Sequence, residues 1–168
     1  VQFAAQKYAA PNLKALLTDR KTLKIFHFAR FDIAVLEKYL GVETTPVYCT
    51  KIASKLARTY TDRHGLKDLC AELAGVELSK QQQSSDWAAE KLSDSQLAYA
   101  ASDVLYLHTL KERLDAMLAR EGRTELAEVR LGRDLQLPPT VPAVEDDRLG
   151  PGHPTGGATD RQGRHGSA

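Results

Sequence analysis

A chain of 168 residues, 42% hydrophobic and 27% charged, is long enough for one domain with a sizeable core. It holds no apolar run able to cross a bilayer and no charged-then-apolar leader pattern, so the expectation is a cytoplasmic protein with no membrane contact. The net charge of +1 hides a division: residues 1–67 carry twelve Lys/Arg against five Asp/Glu, and residues 68–128 six against twelve. That asymmetry permits a basic surface for a polyanion beside an acidic region for cations, or simple neutralisation across an ordinary surface.

In chain order, residues 1–5 read as the end of a strand or one already under way. Pro11 opens a short helix with Leu13, Leu16 and Leu17 along one edge, closed by a turn at Asp19 and Arg20. Residues 22–28 are β-branched, aromatic and aliphatic, and predict a core strand. It runs straight into a helix whose apolar face is Phe31, Val35, Leu36, Tyr39 and Leu40, stopped by Gly41. Residues 47–49 predict a second strand, after which Thr50 is placed to cap a helix over residues 51–60. A polar turn at residues 61–65 precedes a helix presenting Leu66, Leu69, Cys70 and Leu73, ended by Gly75. The longest predicted helix covers residues 93–118, with Ser93 and Gln96 as a capping box. No internal repeat is visible. Residues 138–168 contain five Pro and six Gly, and no aromatic residue follows Tyr106, so this tail does not bury enough apolar surface to fold. Strands interleaved with amphipathic helices predict an α/β fold, helix-rich in the part present and with too few strands for a full central sheet.

Two carboxylates stand out. Asp32 lies at a strand-to-helix junction, where it serves either Mg²⁺ or Mn²⁺ through oxygen ligation or the helix as a capping acid. Asp103 sits mid-helix among Ala100, Ala101, Val104 and Leu105, where capping does not explain it; a surface Asp beside a basic residue is the plain alternative. Tyr99 precedes it by four residues, so phenol and carboxylate share a helix face and the phenol could orient a water, or be a core tyrosine. His27 is read as a half-buried strand residue and His64 as a turn residue with no partner at useful spacing. Cys49 and Cys70 lack metal-type spacing and read as buried thiols. Arg20, Lys21, Arg30, Lys51, Lys55, Arg58 and Arg63 are available to phosphates or to solvent. There is no Gly-rich phosphate loop, GxSxG elbow or zinc pattern.

Ile25 to Asp32, reading Ile-Phe-His-Phe-Ala-Arg-Phe-Asp, resembles the second motif of the ribonuclease D branch of the DEDDy 3′-5′ exonucleases. Tyr99-Ala100-Ala101-Ser102-Asp103 is similar to its third motif. Cys49-Thr50, Gly65-Leu66-Lys67-Asp68-Leu69 and Ser85-Asp86-Trp87 resemble further stretches of that family, in the same order. The likeness covers roughly residues 1–127. It implies an RNase H-like exonuclease fold over residues 1–128, with residues 129–168 as a Pro/Gly-rich tail. It implies two-metal hydrolysis from a 3′ end to nucleoside 5′-monophosphates, with Asp103 and Asp32 as metal ligands and Tyr99 positioning the attacking water. The substrate implied is single-stranded nucleic acid, RNA before DNA, with Arg30, Lys55, Arg58 and Arg63 as candidate contacts.

One part of the family pattern is absent: its first motif, Asp-x-Glu on an early strand, occurs nowhere in these residues. The resemblance begins after the place where that motif should stand, so the expectation is a chain lacking its first strands and unable, as it stands, to assemble two Mg²⁺ or Mn²⁺ ions. Phe28 stands where many polymerase-type relatives have Asn. No helical substrate-binding domain of the full-size ribonuclease D type follows. The alternatives are a catalytically dead exonuclease-like module that still binds nucleic acid, and a helical interaction protein with neither property.

Overall fold

Two strands, β1 (Lys24–Phe26) and β2 (Val47–Cys49), pair in parallel with Lys24 opposite Val47, Ile25 opposite Tyr48 and Phe26 opposite Cys49. They form the sheet in a computed structural model that describes residue 3, residues 8–79 and residues 81–134. β1 is shorter than the predicted residues 22–28. Thr22 is drawn into a turn in which its hydroxyl donates to Asp19 Oδ2 at 2.6 Å, and Phe28 leaves the ladder with φ at 63°. The strand predicted over residues 1–5 lies, apart from Phe3, outside the described residues.

Helices α1 (Pro11–Thr18) and α2 (Arg30–Leu40) flank β1, Pro11 sitting in a first turn where its missing N–H is no loss. Gly41 ends α2 in the left-handed conformation, φ 64°. The predicted apolar face of α2 is only partly an inward face. Ala34 and Leu40 are buried and Ile33 packs on the core, but Phe31 is 69% exposed and Val35 and Tyr39 are exposed as well. Among the described residues Tyr39 meets Tyr8, at 5.1 Å between ring centroids, and the Lys38 ammonium. Phe31, Val35 and Tyr39 thus leave an exposed apolar stripe on α2.

α3 (Thr50–Ala57) follows β2 directly. Thr50 does not cap it: the cap position is Cys49, and the Thr50 hydroxyl is committed elsewhere. The predicted helix after Gly65 is a single turn, α4 (Leu66–Leu69), widening into a π-helical turn (Cys70–Ala74) that closes on Gly75 at φ 68°.

The predicted single helix over residues 93–118 is two: α5 (Asp94–Leu105) and α6 (Leu107–Arg120), broken at Tyr106, whose φ −99° and ψ −1° suit a tight turn. Periodicity misses this break because Leu97, Val104, Leu107 and Leu114 stay in step across it. The two halves nevertheless have opposite fates. Leu97, Val104 and Leu105 of α5 are exposed, whereas Leu107, Leu110, Leu114 and Leu118 of α6 are buried. Leu114 and Leu118 join Ala29, Tyr48, Cys49, Ala53 and Ala57 in one cluster, and Leu110 joins Leu69, Cys70 and Leu78 in another, so α6 ties both together.

α7 (Thr124–Asp134) runs past the expected domain boundary at residue 128. Ala127 and Leu131 enter the core, and the Arg123 guanidinium donates to Leu56 O at 2.8 Å. Residues 129–134 are therefore helix rather than tail; the rest of the expected tail, residues 135–168, lies outside the described residues.

Candidate active site

The start of α5 is a clamp. Ser93 Oγ accepts the Gln96 amide at 3.2 Å, and Gln96 Oε1 accepts the Ser93 amide at 2.9 Å, closing the predicted capping box. Gln96 is buried, and its side-chain NH₂ reaches back to Asp86 O at 2.9 Å and Ser85 Oγ at 3.2 Å. One glutamine thus caps a helix and pins the preceding loop. The next loop residue, Trp87, donates its indole N–H to Gln82 O at 3.2 Å and lays its ring 5.9 Å from that of Tyr99, tilted by 48°. Tyr99 is held from outside its own helix.

Asp103 lies one turn further along α5, half-buried and with no hydrogen bond or ion pair among the described residues. Burial pushes its carboxyl above the ordinary carboxylate range. Burial, then the Asp103 charge, pushes the Tyr99 phenol up, and the same two causes raise the Cys70 thiol, so phenol, carboxylate and thiol share one neighbourhood. Cys70 and Cys49 are both buried and unpaired, as expected.

The second predicted carboxylate, Asp32, stands in the first turn of α2, beyond the C-terminal end of β1. No side chain caps this helix, whose cap position is Ala29. Although Asp32 as a residue is exposed, crowding about its carboxyl raises it, opposed by a hydrogen bond from its own amide. No hydrogen bond joins Asp32 to Asp103. Beside it, His27 Nδ1 lies 2.9 Å from Thr50 Oγ1, and that hydroxyl donates to Phe26 O at 3.2 Å. Because the hydroxyl proton is already given, His27 Nδ1 carries the hydrogen in this pair. Burial, then the Lys51 charge, holds the imidazole down to about 4, so it is neutral at physiological pH.

The four predicted nucleic-acid contacts divide. Arg58 is corrected: its side chain is fully buried, ion-paired through Nη2 with Glu72 Oε2, and Nη1 donates to Ser54 Oγ at 3.0 Å and Arg63 O at 2.7 Å. A guanidinium so committed does not reach a phosphate. Arg63 is exposed but engages Asp68 Oδ1 through Nε and Nη2 at 2.9 and 2.7 Å. Arg30 and Lys55 are exposed. His64, read from sequence as partnerless, lies 2.8 Å from Ser54 Oγ through Nδ1, because α3 and the turn after it fold together.

Among the described residues no three His, Cys, Asp or Glu side chains gather as a metal cluster. Asp32 and Asp103 are carboxylates carrying a desolvation cost that no basic side chain among the described residues relieves, which suits hard divalent cations but supplies only part of a ligand set. Sequence reasoning missed the clamp. The Ser93/Gln96 spacing announces a cap, but the reach of Gln96 to Ser85 and Asp86 spans about ten residues and leaves no local pattern.

Residues 1–119 match the family described as 3′-5′ exonuclease, and the chain belongs to that family. A ribonuclease D from Gluconacetobacter diazotrophicus is 37% identical over 113 residues, 67% of this chain and 28% of that one. Brucella melitensis NrnC with bound Mg²⁺ is 61% identical over 76% of this chain and 61% of its own, with a TM-score of 0.72; the same nuclease bound to pGG is 62% identical over 75% and 61%, also at 0.72. Escherichia coli RNase D shares 26% identity and a TM-score of 0.64 over 74% of this chain and 34% of that one. The chain thus spans little more than a quarter of the curated ribonuclease D and about three-fifths of NrnC. The α/β, RNase H-like exonuclease fold expected from the motifs is the fold these relatives share.

Proposed function

We propose that this protein is a metal-dependent 3′-5′ exonuclease of ribonuclease D type, acting on single-stranded RNA or short oligonucleotides and releasing nucleoside 5′-monophosphates. The observation that carries the reading is the arrangement on α5: a phenol and a desolvated carboxylate one turn apart, the phenol backed by Trp87 and the loop behind it fixed by Gln96. When bound, Mg²⁺ or Mn²⁺ supplies Lewis acidity for the attacking and leaving oxygens. Asp103 and Asp32 are the residues that would hold it. Tyr99 orients the attacking water through its hydroxyl, whose raised pKa keeps it a proton donor and acceptor throughout the physiological range. The NrnC complex with pGG supports a substrate as short as a dinucleotide, and the relatives called ribonuclease D support RNA.

Two carboxylates do not make a two-metal site, so the reading includes a further acidic pair, the Asp-x-Glu absent from these 168 residues, and predicts that the 168 residues alone do not cleave. The exposed apolar stripe of Phe31, Val35 and Tyr39 on α2 supports further chain packing there, as a sheet continuing beyond the two strands described would supply. The test is a 5′-labelled single-stranded RNA incubated with Mn²⁺ and the protein carrying its natural flanking sequence. Stepwise shortening from the 3′ end, blocked by a 3′-phosphate and abolished by Asp103→Ala, is the expected result. Salt-sensitive binding without shortening would replace this reading with that of a catalytically dead binding module.

A further inference from the structure

Past the last ladder pair, Phe26 with Cys49, the parallel register continues through side chains: His27 meets Thr50, and Phe28 meets Lys51, whose ammonium lies 4.0 Å from the Phe28 ring centroid. The first pair is structural, since it satisfies a buried imidazole and hydroxyl. The second is a cation–π contact at an exposed site, too weak to account for the backbone that presents the ring. Phe28 is the one non-glycine residue with positive φ among the described residues, at 63°, a conformation unfavourable for a bulky L side chain. What that backbone achieves is to turn an aromatic ring outward, 58% exposed, where burial contributes little. Lys51 stands in the first turn of α3, the end of a helix at which a positive charge is disfavoured. Two locally unfavourable choices therefore sit side by side beyond the C-terminal ends of two parallel strands, where α/β proteins bind ligands, and four residues before Asp32.

We propose that Phe28 and Lys51 form a nucleotide subsite, in which a substrate base stacks on the face of the exposed ring that the ammonium does not cover, and the adjoining phosphate pairs with the ammonium. The proposal deepens the exonuclease reading and rests on it. An aromatic face accepts any base, and a neighbouring cation adds attraction for the backbone, so the subsite grips without reading sequence. Neutral His27 keeps the floor of the subsite rigid and adds no second cation there.

The variant Phe28→Gly separates the two explanations of the ring, because glycine adopts φ 63° freely. The protein with its natural flanking sequence is titrated with a 5′-phosphorylated dinucleotide carrying 2-aminopurine at either position, with Ca²⁺ in place of the catalytic metal. Wild type should quench one of the two probes. Phe28→Gly should lose that quenching and bind about tenfold more weakly while melting at or above the wild-type temperature. Lys51→Met should weaken binding and flatten its salt dependence while leaving the quenching of bound probe intact. Unchanged affinity and quenching in Phe28→Gly, or a lower melting temperature that marks the ring as packing, overturns the subsite and leaves the exonuclease reading standing. Failure of wild type to bind either dinucleotide overturns the subsite, and failure to shorten single-stranded RNA as well overturns the exonuclease reading with it.

Discussion

On the proposed reading, Asp103 serves function at the expense of stability. A carboxyl raised in the folded state binds protons more tightly there than in the unfolded chain, so its contribution to stability falls as pH rises past its ordinary value of 3.8. Asp103→Asn should therefore melt above wild type at pH 7 in EDTA, with the two converging toward pH 3, while losing all metal-dependent cleavage; thermal melts across that range check the sign. Tyr99 depends on its neighbour in a different way. Trp87→Ala should lower kcat tenfold or more with little change in KM, and Trp87→Phe should restore most of it, because what the indole supplies is a surface that fixes the phenol. The Tyr99/Asp103 pairing was legible in the sequence because a four-residue spacing on a helix is local. The burial of Arg58 was not, since a basic residue among other basic residues reads as surface until Glu72 and Ser54 fold around it.

Among the elements, α5 and its loop act as a unit through Gln96. Gln96→Ala removes both the second half of the capping box and the anchors on Ser85 and Asp86, and should cost about 1–2 kcal/mol in a urea titration. The α3 end is tied by Arg58 and Glu72. Burial alone would raise the Glu72 carboxyl, but hydrogen bonds from Arg58 and Tyr60 and the Arg58 charge bring it below its ordinary value. Its stabilisation is thus present above the ordinary carboxylate range and lost as pH falls through the lowered value. Glu72→Ala leaves a fully buried guanidinium without its partner; with Glu72 itself 44% exposed, the cost should be about 2–3 kcal/mol at pH 7 and shrink on acidification, read from urea midpoints at pH 7 and pH 4. The helix break at Tyr106 was invisible in the sequence for a physical reason: the apolar stripe keeps phase across it, and what separates α5 from α6 is only which side finds a partner.

Across the molecule, α6 is the beam on which both hydrophobic clusters rest. Leu114→Ala should cost about 3–4 kcal/mol, with an unchanged dependence on urea concentration if the whole fold loosens as one unit. The two strands and Leu107, Leu114 and Leu118 of α6 could be read from periodicity and turn residues, whereas α7 and Leu110 were not. The exposed stripe of α2 could not, because an apolar helix face announces only that it needs cover, never where the cover comes from. The ordered motifs pointed to the exonuclease family, to which residues 1–119 belong, although they cover only part of such proteins. The most direct measurement is the release of guanosine 5′-monophosphate from pGG in Mn²⁺, followed by chromatography, with the protein carrying its natural flanking sequence. Turnover that is lost in EDTA, abolished in Asp103→Asn and reduced a hundredfold or more in Tyr99→Phe is the predicted result, whereas undiminished turnover in Asp103→Asn would contradict the assignment of α5 as the catalytic helix.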